Sequence, residues 1–155
     1  MAETHRYASR LRWSGSTGQG YEAYDRTHRV GLPPGDGELV LSSDQAFLGD
    51  HALPNPEQLL VVAASSCQLL MFLAIAARSR VDVVAYEDDA EAVMPEDDPM
   101  WITEIVLRPR IVVAAGTDLA KVERMVENAH EGCYIANSLR SRIVVEPAIE
   151  HASGS

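Results

Sequence analysis

A long helix is predicted by the sequence Asn55-Pro56-Glu57-Gln58-Leu59-Leu60-Val61-Val62-Ala63-Ala64-Ser65-Ser66-Cys67-Gln68-Leu69-Leu70. Asn55 can cap the first turn with its side-chain oxygen, and a proline is favoured at the first helical position that follows. Gln58, three residues after the cap, completes a pattern close to a capping box. No charged residue occurs from Gln58 to Ala77, so we expect a helix that is apolar on every side and runs to about Arg80.

The uncharged run is also long enough to cross a lipid bilayer. However, polar residues occupy its centre, Ser65-Ser66-Cys67-Gln68, and no second segment of the sequence matches it. The favoured interpretation is therefore a helix buried in protein. Because one small sheet can cover only one side of such a helix, we expect the other side to meet its copy in a homodimer whose subunits share a core.

Strands flank the long helix in the sequence. Alternation of apolar and polar residues predicts them before the helix at residues 6–14, 21–32 and 38–42, and after it at residues 81–93, 101–115 and 143–146. A second, amphipathic helix is expected from a cap at Thr117 or Asp118 to Gly132, followed by a short helix from about Cys133. Residues 43–54 are predicted to be a loop and residues from about 151 to 155 a frayed tail. This order predicts a single α+β domain over residues 1–155.

The composition excludes several classes of protein. With 155 residues, 46% of them hydrophobic and 23% charged, the chain is typical of a globular domain. Its formal net charge of -10 repels phosphate groups, so neither a nucleic acid nor a membrane is an expected partner. The cysteines and histidines lack the spacing of a metal site. Met1 to Arg6 lack the apolar core of a signal peptide, so we expect a cytoplasmic, reducing compartment, where a cysteine pair is more often catalytic than structural.

Cys67 is the first candidate for chemistry. Ala63 and Ala64 lie one helical turn before it, and Leu70 and Met71 lie one turn after it, which leaves room for an apolar ligand beside the sulfur. A lone cysteine in a helix is more often a small core residue, and a buried thiol is inert unless a cation stabilises its thiolate. Both interpretations stay open on these residues alone.

Cys133 and Glu57 are the other candidates. Cys133 follows Gly132 at the expected start of a helix, where a lowered pKa would make the thiol reactive, although such a cysteine by itself is more often structural. Glu57 lies in the first turn of the long helix, where a carboxylate is favourable simply through the helix dipole. Ten residues of straight helix place Glu57 ~15 Å from Cys67, so one site can use both only if the helix breaks or if two helices cross in a dimer.

Together these residues resemble a known family. Asn55-Pro56-Glu57-Gln58-Leu59-Leu60, Ala63-Ala64-Ser65-Ser66-Cys67 and, much later, His130-Glu131-Gly132-Cys133 are similar to motifs of the OsmC/Ohr family of thiol-dependent hydroperoxide reductases. The resemblance extends from the first strand to Val145, and residues 42–47 and 107–110 are similar to its OsmC-like branch. It implies an OsmC-like fold, with antiparallel sheets packed on a long central buried helix, in an intertwined homodimer with active sites at the subunit interface.

The resemblance also implies the chemistry of a peroxidase in the oxidative stress response. Cys67 matches the cysteine whose thiolate attacks the O–O bond of an organic hydroperoxide and becomes a sulfenic acid. Cys133 matches the cysteine that resolves this sulfenic acid as a disulfide, which a cellular dithiol then reduces. Leu70 and Met71 would line an apolar substrate pocket. No metal, flavin or haem cofactor is needed.

Glu57 matches the glutamate that orients an arginine, and that arginine stabilises the thiolate. Family members usually carry the arginine in the first hairpin loop or in the loop before the helix, whereas residues 15–20 and 45–50 contain none. Arg26, in the second predicted strand, is the nearest substitute, and its alternative role is that of a solvent-facing strand residue. Without a cation the activity would be weak or absent.

Two other functions stay open. The same fold can belong to a protein that is not a peroxidase and that binds a small apolar ligand or senses oxidants. A cysteine hydrolase would need a base beside Cys67, and the neighbouring sequence supplies none.

Overall fold

A small antiparallel sheet forms the first part of the fold. The computed structural model describes residues 2–154, which divide into two compact units, one up to Leu59 and one from Leu60. The strands of the first unit are β1 (Arg10–Arg12), β2 (His28–Gly31) and β3 (Glu38–Leu41), paired in that order. Leu11 lies opposite Val30 in this sheet.

The first two strands are shorter than the sequence predicted. The Trp13 indole donates a hydrogen bond to the carbonyl of Asp25 at 2.8 Å, and the Asp25 carboxylate accepts one from the backbone N–H of Thr27 at 2.8 Å. Such bonds between side chains and the backbone compete with the pairing of strands. They hold the segment between β1 and β2 as a series of turns.

The long helix, α1 (Pro56–Arg78), begins as predicted. The Asn55 side-chain oxygen accepts from the backbone N–H of Gln58 at 2.9 Å, and the Gln58 side chain accepts from the backbone N–H of Asn55 at 3.0 Å. This reciprocal pair is a capping box. The helix ends two residues before the predicted limit because Arg80 takes a left-handed conformation with φ 56°.

Two three-stranded sheets lie in the second unit. One contains β4 (Val83–Asp88), β7 (Pro109–Val113) and β9 (Ala148–His151), and the other contains β5 (Glu91–Val93), β6 (Glu104–Leu107) and β8 (Arg142–Val145), each in that order. The predicted α+β class is confirmed. The sheets are not purely antiparallel as expected, because β9 runs parallel to β7 and β8 runs parallel to β6.

Asp88 marks the point where the predicted strands 81–93 and 101–115 each divide in two. Its carboxylate accepts hydrogen bonds from the backbone N–H of Arg108 at 2.7 Å and from the hydroxyl of Ser65. At Arg108, between β6 and β7, the Asp88 side chain thus takes the place of a backbone carbonyl as the hydrogen-bond acceptor. The Arg108 side chain bridges Glu91 at 2.6 Å and Glu146 at 3.1 Å on either side of the break.

The second helix, α2 (Leu119–Gly132), follows the predicted bounds. Asp118 caps it by accepting from the backbone N–H groups of Ala120 and Lys121. The short helix expected near Cys133 is a 3-10 turn over Ala136–Ser138. The chain then continues into β8 and into β9, which was not predicted. His151 closes β9 with a 2.8 Å contact between its Nε2 and the Thr117 carbonyl, so the expected fraying does not begin there, and Ser155 lies outside the described residues.

One side of α1 forms the centre of the core of the second unit. Its buried residues recur every four positions: Ala64, Gln68, Phe72 and Ala76. Phe72 packs with Ile111 of β7 and Val126 of α2, whereas Ala64 packs with Ile105 of β6. Val62, Leu70 and Leu73 on α1 are exposed in the single chain. The chain's own sheets and α2 therefore cover one side of this helix and leave the other open.

By length and apolar composition α1 would also qualify to cross a membrane. The same composition is typical of a core helix, and 22% of its most apolar window is buried within the chain.

Candidate functional site

The two cysteines meet where α1 passes the end of α2. Cys67 lies in the middle of α1, and Cys133 is the cap residue directly after the last residue of α2. The Cys67 thiol lies near enough to raise the pKa of Cys133, and both cysteines are free. Two cysteines that are far apart in the sequence are thereby neighbours in the fold.

Packing between α1 and α2 fixes this arrangement. The Gln68 side chain donates a hydrogen bond to the Val126 carbonyl of α2 at 3.1 Å. The thioether of Met71 lies over Gly132, where an added Cβ would come within 3.7 Å of the sulfur. Gln68 directly follows Cys67 in the sequence, and Gly132 directly precedes Cys133. Each cysteine therefore lies beside a residue that joins α1 to α2.

The environment of Cys133 is unfavourable for its thiolate. Burial raises the pKa of the Cys133 thiol, because the side chain is 1% exposed and a charge there loses its hydration. The neighbouring Cys67 thiol raises this pKa further, and the backbone N–H groups of Ala136 and Ile135 lower it in part. The prediction of a lowered pKa at a helix start was wrong, since Cys133 ends a helix rather than beginning one.

Asn137 holds the turn that follows Cys133. Its side-chain nitrogen donates to the carbonyl oxygens of Glu131 at 2.9 Å and Cys133 at 3.0 Å. The backbone N–H of Ala136 donates to the sulfur of Cys133 at 3.4 Å. Sequence reasoning missed Asn137, although an asparagine in a turn just after a helix is a typical source of such bonds.

Cys67 is less buried than Cys133, with intermediate exposure. The predicted pocket residues beside it differ in their surroundings. Leu70 is 63% exposed, whereas Met71 packs against the core. Within the described residues of one chain, neither Leu70 nor Met71 lines either of two grooves that lie on the second unit.

Glu57 and Arg26 belong to the first unit. Glu57 is the second residue of α1 and is half-buried. Arg26 precedes β2 instead of lying in it, and its guanidinium donates to the carbonyls of Tyr21 at 2.6 Å and Tyr24 at 2.8 Å. It also lies over both tyrosine rings, 4.8 and 4.0 Å from their centres. Arg26 is therefore not the solvent-facing strand residue of the alternative prediction but a member of a cation–π cluster.

The two grooves differ in chemistry. The first, of about 410 Å³, is lined mainly by α1 and β4 and includes Ser65, Tyr86 and Asp88. Burial raises the pKa of Tyr86, and the charge of Asp88 raises it further. The second groove, of about 380 Å³, lies between α2 and β8 with Glu123, Glu127 and Glu131 along it. Asp88 is an anchor between α1, β4 and the start of β7.

Comparison with known proteins gives one family. Residues 49–148 match the family model described as OsmC-like protein. No curated protein sequence matches the chain significantly.

Solved structures share the fold. An OsmC-like protein of unknown function from Vibrio cholerae is 29% identical, with a TM-score of 0.84 over 94% of this chain and 100% of that one. An organic hydroperoxide resistance protein OsmC from Legionella pneumophila is 17% identical, with a TM-score of 0.71 over 96% and 99% of the two chains. The organic hydroperoxide resistance protein OhrB of Bacillus subtilis is 17% identical, with a TM-score of 0.61 over 94% and 98%.

Proposed function

Because the chain belongs to the OsmC-like protein family, we propose that it is a peroxidase that reduces organic hydroperoxides with the thiols of Cys67 and Cys133. The observation that carries this proposal is that the two free cysteines are neighbours at the end of α2, where the Cys67 thiol raises the pKa of Cys133. The structural likeness to proteins called organic hydroperoxide resistance proteins agrees with it.

The different exposure of the two cysteines supports an order of events. Cys67 is the more accessible thiol, so we assign to it the attack on the O–O bond. The distal oxygen is transferred to sulfur as a sulfenic acid, and the other oxygen leaves as an alcohol. Cys133 then attacks the oxidised sulfur, which forms the disulfide and releases water. A dithiol reductant restores both thiols, and no metal, flavin or haem takes part.

We assign supporting roles to Glu57 and Arg26. Cys67 needs a cation to react rapidly as a thiolate. Among the described residues, no cationic side chain is a cause of the pKa shift of Cys133. Arg26 is our candidate for this cation and Glu57 for the carboxylate that orients it. Since α1 is continuous from Pro56 to Arg78, we propose that Glu57 serves Cys67 of a partner subunit.

The open side of α1 supports a homodimer. Leu70 and Leu73 are apolar and exposed in the single chain, and such a surface is typical of an interface. We propose that the partner covers this side and completes an apolar substrate pocket with Leu70 and Met71. The cytoplasm is the compartment in which free thiols and a dithiol reductant both persist.

Peroxide consumption by cysteine variants tests the proposal. With cumene hydroperoxide, the reduced protein should lose two thiols per chain and form one intramolecular disulfide. Cys67→Ser should abolish consumption, whereas Cys133→Ser should stop at a sulfenic acid that dimedone traps on Cys67. If neither thiol reacts faster than free cysteine does, the peroxidase proposal fails.

A second pair of variants tests the cation. Arg26→Ala should slow the first thiol loss at least about tenfold, the scale expected when a charge-assisted contact is lost. Arg29→Ala is the matched control, because Arg29 lies nearby on β2 and pairs with Glu38 at 2.6 Å. An unchanged rate in Arg26→Ala removes this residue from the site.

The second candidate function is binding of a small apolar ligand, or oxidant sensing, by a chain with little peroxidase activity. The raised pKa of the Cys133 thiol favours it, because a buried neutral thiol reacts slowly. Slow thiol oxidation together with saturable binding of an apolar fluorescent probe would support this function over catalysis.

A further inference from the structure

Asn137 makes three hydrogen bonds within the turn after Cys133. Its side-chain nitrogen donates to the carbonyl oxygens of Glu131 at 2.9 Å and of Cys133 at 3.0 Å. Its backbone N–H also donates to the Cys133 oxygen at 3.0 Å. The side chain is exposed, so its amide is not needed to fill the core.

These bonds satisfy carbonyl groups that the end of α2 leaves without helical partners. Cys133 itself has an extended conformation, with φ -70° and ψ 113°, which breaks the helical hydrogen-bond pattern. The bonds from Asn137 close the chain around it. The same turn places the backbone N–H of Ala136 3.4 Å from the Cys133 sulfur, where it favours the thiolate over the thiol.

We propose that Asn137 is a positioning residue for the second chemical step. It holds the turn so that the Cys133 sulfur faces Cys67 while the Ala136 N–H supports the developing thiolate. The inference rests on the proposed two-thiol chemistry and assigns a residue to its resolution step. Asn137 touches neither substrate nor the sulfur atoms, and it acts through the backbone of Cys133.

In the resolution step, the two cysteines supply all the atoms and electrons that the new disulfide and the released water need. The Cys133 sulfur attacks the sulfur of the Cys67 sulfenic acid, the S–S bond forms and the S–O bond breaks. The hydroxyl group leaves as water with the proton of the Cys133 thiol. No further oxidant is needed, because the hydroperoxide has already oxidised Cys67.

The test replaces the peroxide with the aromatic disulfide dithiobis(nitrobenzoate). Cys67, the more exposed thiol, exchanges first and releases one coloured thiolate, and Cys133 then displaces a second from Cys67 as the intramolecular disulfide forms. In Asn137→Ala the second release should slow by about tenfold, because the side-chain hydrogen bonds to the Glu131 and Cys133 carbonyls are lost. The first release should stay unchanged.

Two further variants separate positioning from loosening of the turn. Asn137→Asp keeps the size of the side chain but cannot donate, so it should slow the second release at least as much as Asn137→Ala. Ser138→Ala is the matched control, because the Ser138 hydroxyl donates to the Tyr134 carbonyl at 2.6 Å in the same turn. It should leave the second release within about twofold of the wild type, since an exposed neutral hydrogen bond contributes little.

An unchanged second release in Asn137→Ala and Asn137→Asp would overturn the inference, as would equal slowing in Ser138→Ala. Loss of the fold in both Asn137 variants, seen by circular dichroism of the reduced proteins, would also overturn it in favour of a structural role. A wild type that forms the disulfide with the aromatic reagent but consumes no hydroperoxide would refute the peroxidase function alone.

Discussion

Gln68 of α1 donates a hydrogen bond from Nε2 to the carbonyl oxygen of Val126 in α2, at 3.1 Å. The side chain is 1% exposed, and its Oε1 has no partner among the described residues. The bond joins α1 to α2 at a point one residue after Cys67 in α1 and two turns before Cys133 in the direction of α2. The unpartnered oxygen makes the same amide costly to bury, so this cost opposes the stabilisation that the bond to Val126 supplies.

Gln68→Met should therefore leave stability nearly unchanged. Methionine has a similar volume, and removing the unpartnered oxygen offsets the loss of the bond to Val126, so the free energy of unfolding should change by less than about 1 kcal/mol. Urea denaturation of the reduced protein measures it. The disulfide should nevertheless form more slowly, because α1 can shift against α2. A loss above about 3 kcal/mol would show that the hydrogen bond dominates.

Gln68→Glu is the charged counterpart at the same position. A carboxylate without a cation would be buried there, which should cost about 3 kcal/mol or more at pH 7. Burial raises the pKa of a carboxyl group, so the penalty should shrink as the pH falls and vanish below the ordinary value of ~4.3 for glutamate. Urea midpoints of both variants between pH 4 and pH 8 test the sign. A penalty that does not depend on pH would contradict the burial of this side chain.

We expect the wild type to lose stability at alkaline pH as Tyr86 ionises on unfolding, and Tyr86→Phe should remove this loss. Burial and then the charge of Asp88 raise the pKa of Tyr86 above its ordinary value, so the folded state favours the neutral phenol. The stabilisation is complete below the unfolded pKa of ~10 and is lost as the pH rises above it. At pH 7 the variant should be as stable as the wild type or more so, because the buried hydroxyl has no partner among the described residues.

The control for this prediction is Tyr134→Phe, since Tyr134 is 77% exposed. Thermal unfolding between pH 7 and pH 11 should show the same alkaline decline in Tyr134→Phe as in the wild type. Equal declines in all three proteins would mean that Tyr86 ionises as freely as an exposed tyrosine.

Sequence reasoning succeeded where local rules decide the structure. The start of α1 depends on Asn55 and Gln58, and the start of α2 depends on Asp118, so each is fixed by residues within one turn. It failed where distant groups compete with local pattern. Asp88 divides two predicted strands by accepting the Arg108 N–H, and an alternating pattern contains no sign of that bond.

At the candidate site, too, local sequence was informative and the effects of distant groups were not. The pattern around Cys67 made this thiol a candidate, because small residues before it and apolar residues after it are visible in the sequence, and its chemical role stays a prediction. The pKa direction of Cys133 was wrong, since it depends on which end of a helix the residue occupies and on its burial. Arg26 was placed in a strand, but its contacts with Tyr21 and Tyr24 hold it in the segment before β2.

The rate of disulfide formation should rise with pH. Burial and then the neighbouring Cys67 thiol raise the pKa of Cys133, so at pH 7 its thiolate is scarcer than that of an ordinary cysteine. The second release of coloured thiolate should accelerate from pH 7 through pH 9 and beyond, where an exposed thiol would already level off. Stopped-flow absorbance measures it, and a rate that is level above pH 8 would contradict the raised pKa.

Leu73→Glu should dissociate the proposed homodimer. Leu73 is 37% exposed on the open side of α1, and a glutamate there would be buried without a partner if a second α1 packed against it. Such a charge should weaken association at least about a hundredfold. Light scattering over a range of concentrations measures the mass. Val84→Glu is the control, because Val84 is an exposed apolar residue on β4 and should leave the dimer intact. A wild type that stays monomeric, or a Leu73→Glu variant that associates as tightly as the wild type, would show that this side of α1 does not carry the interface.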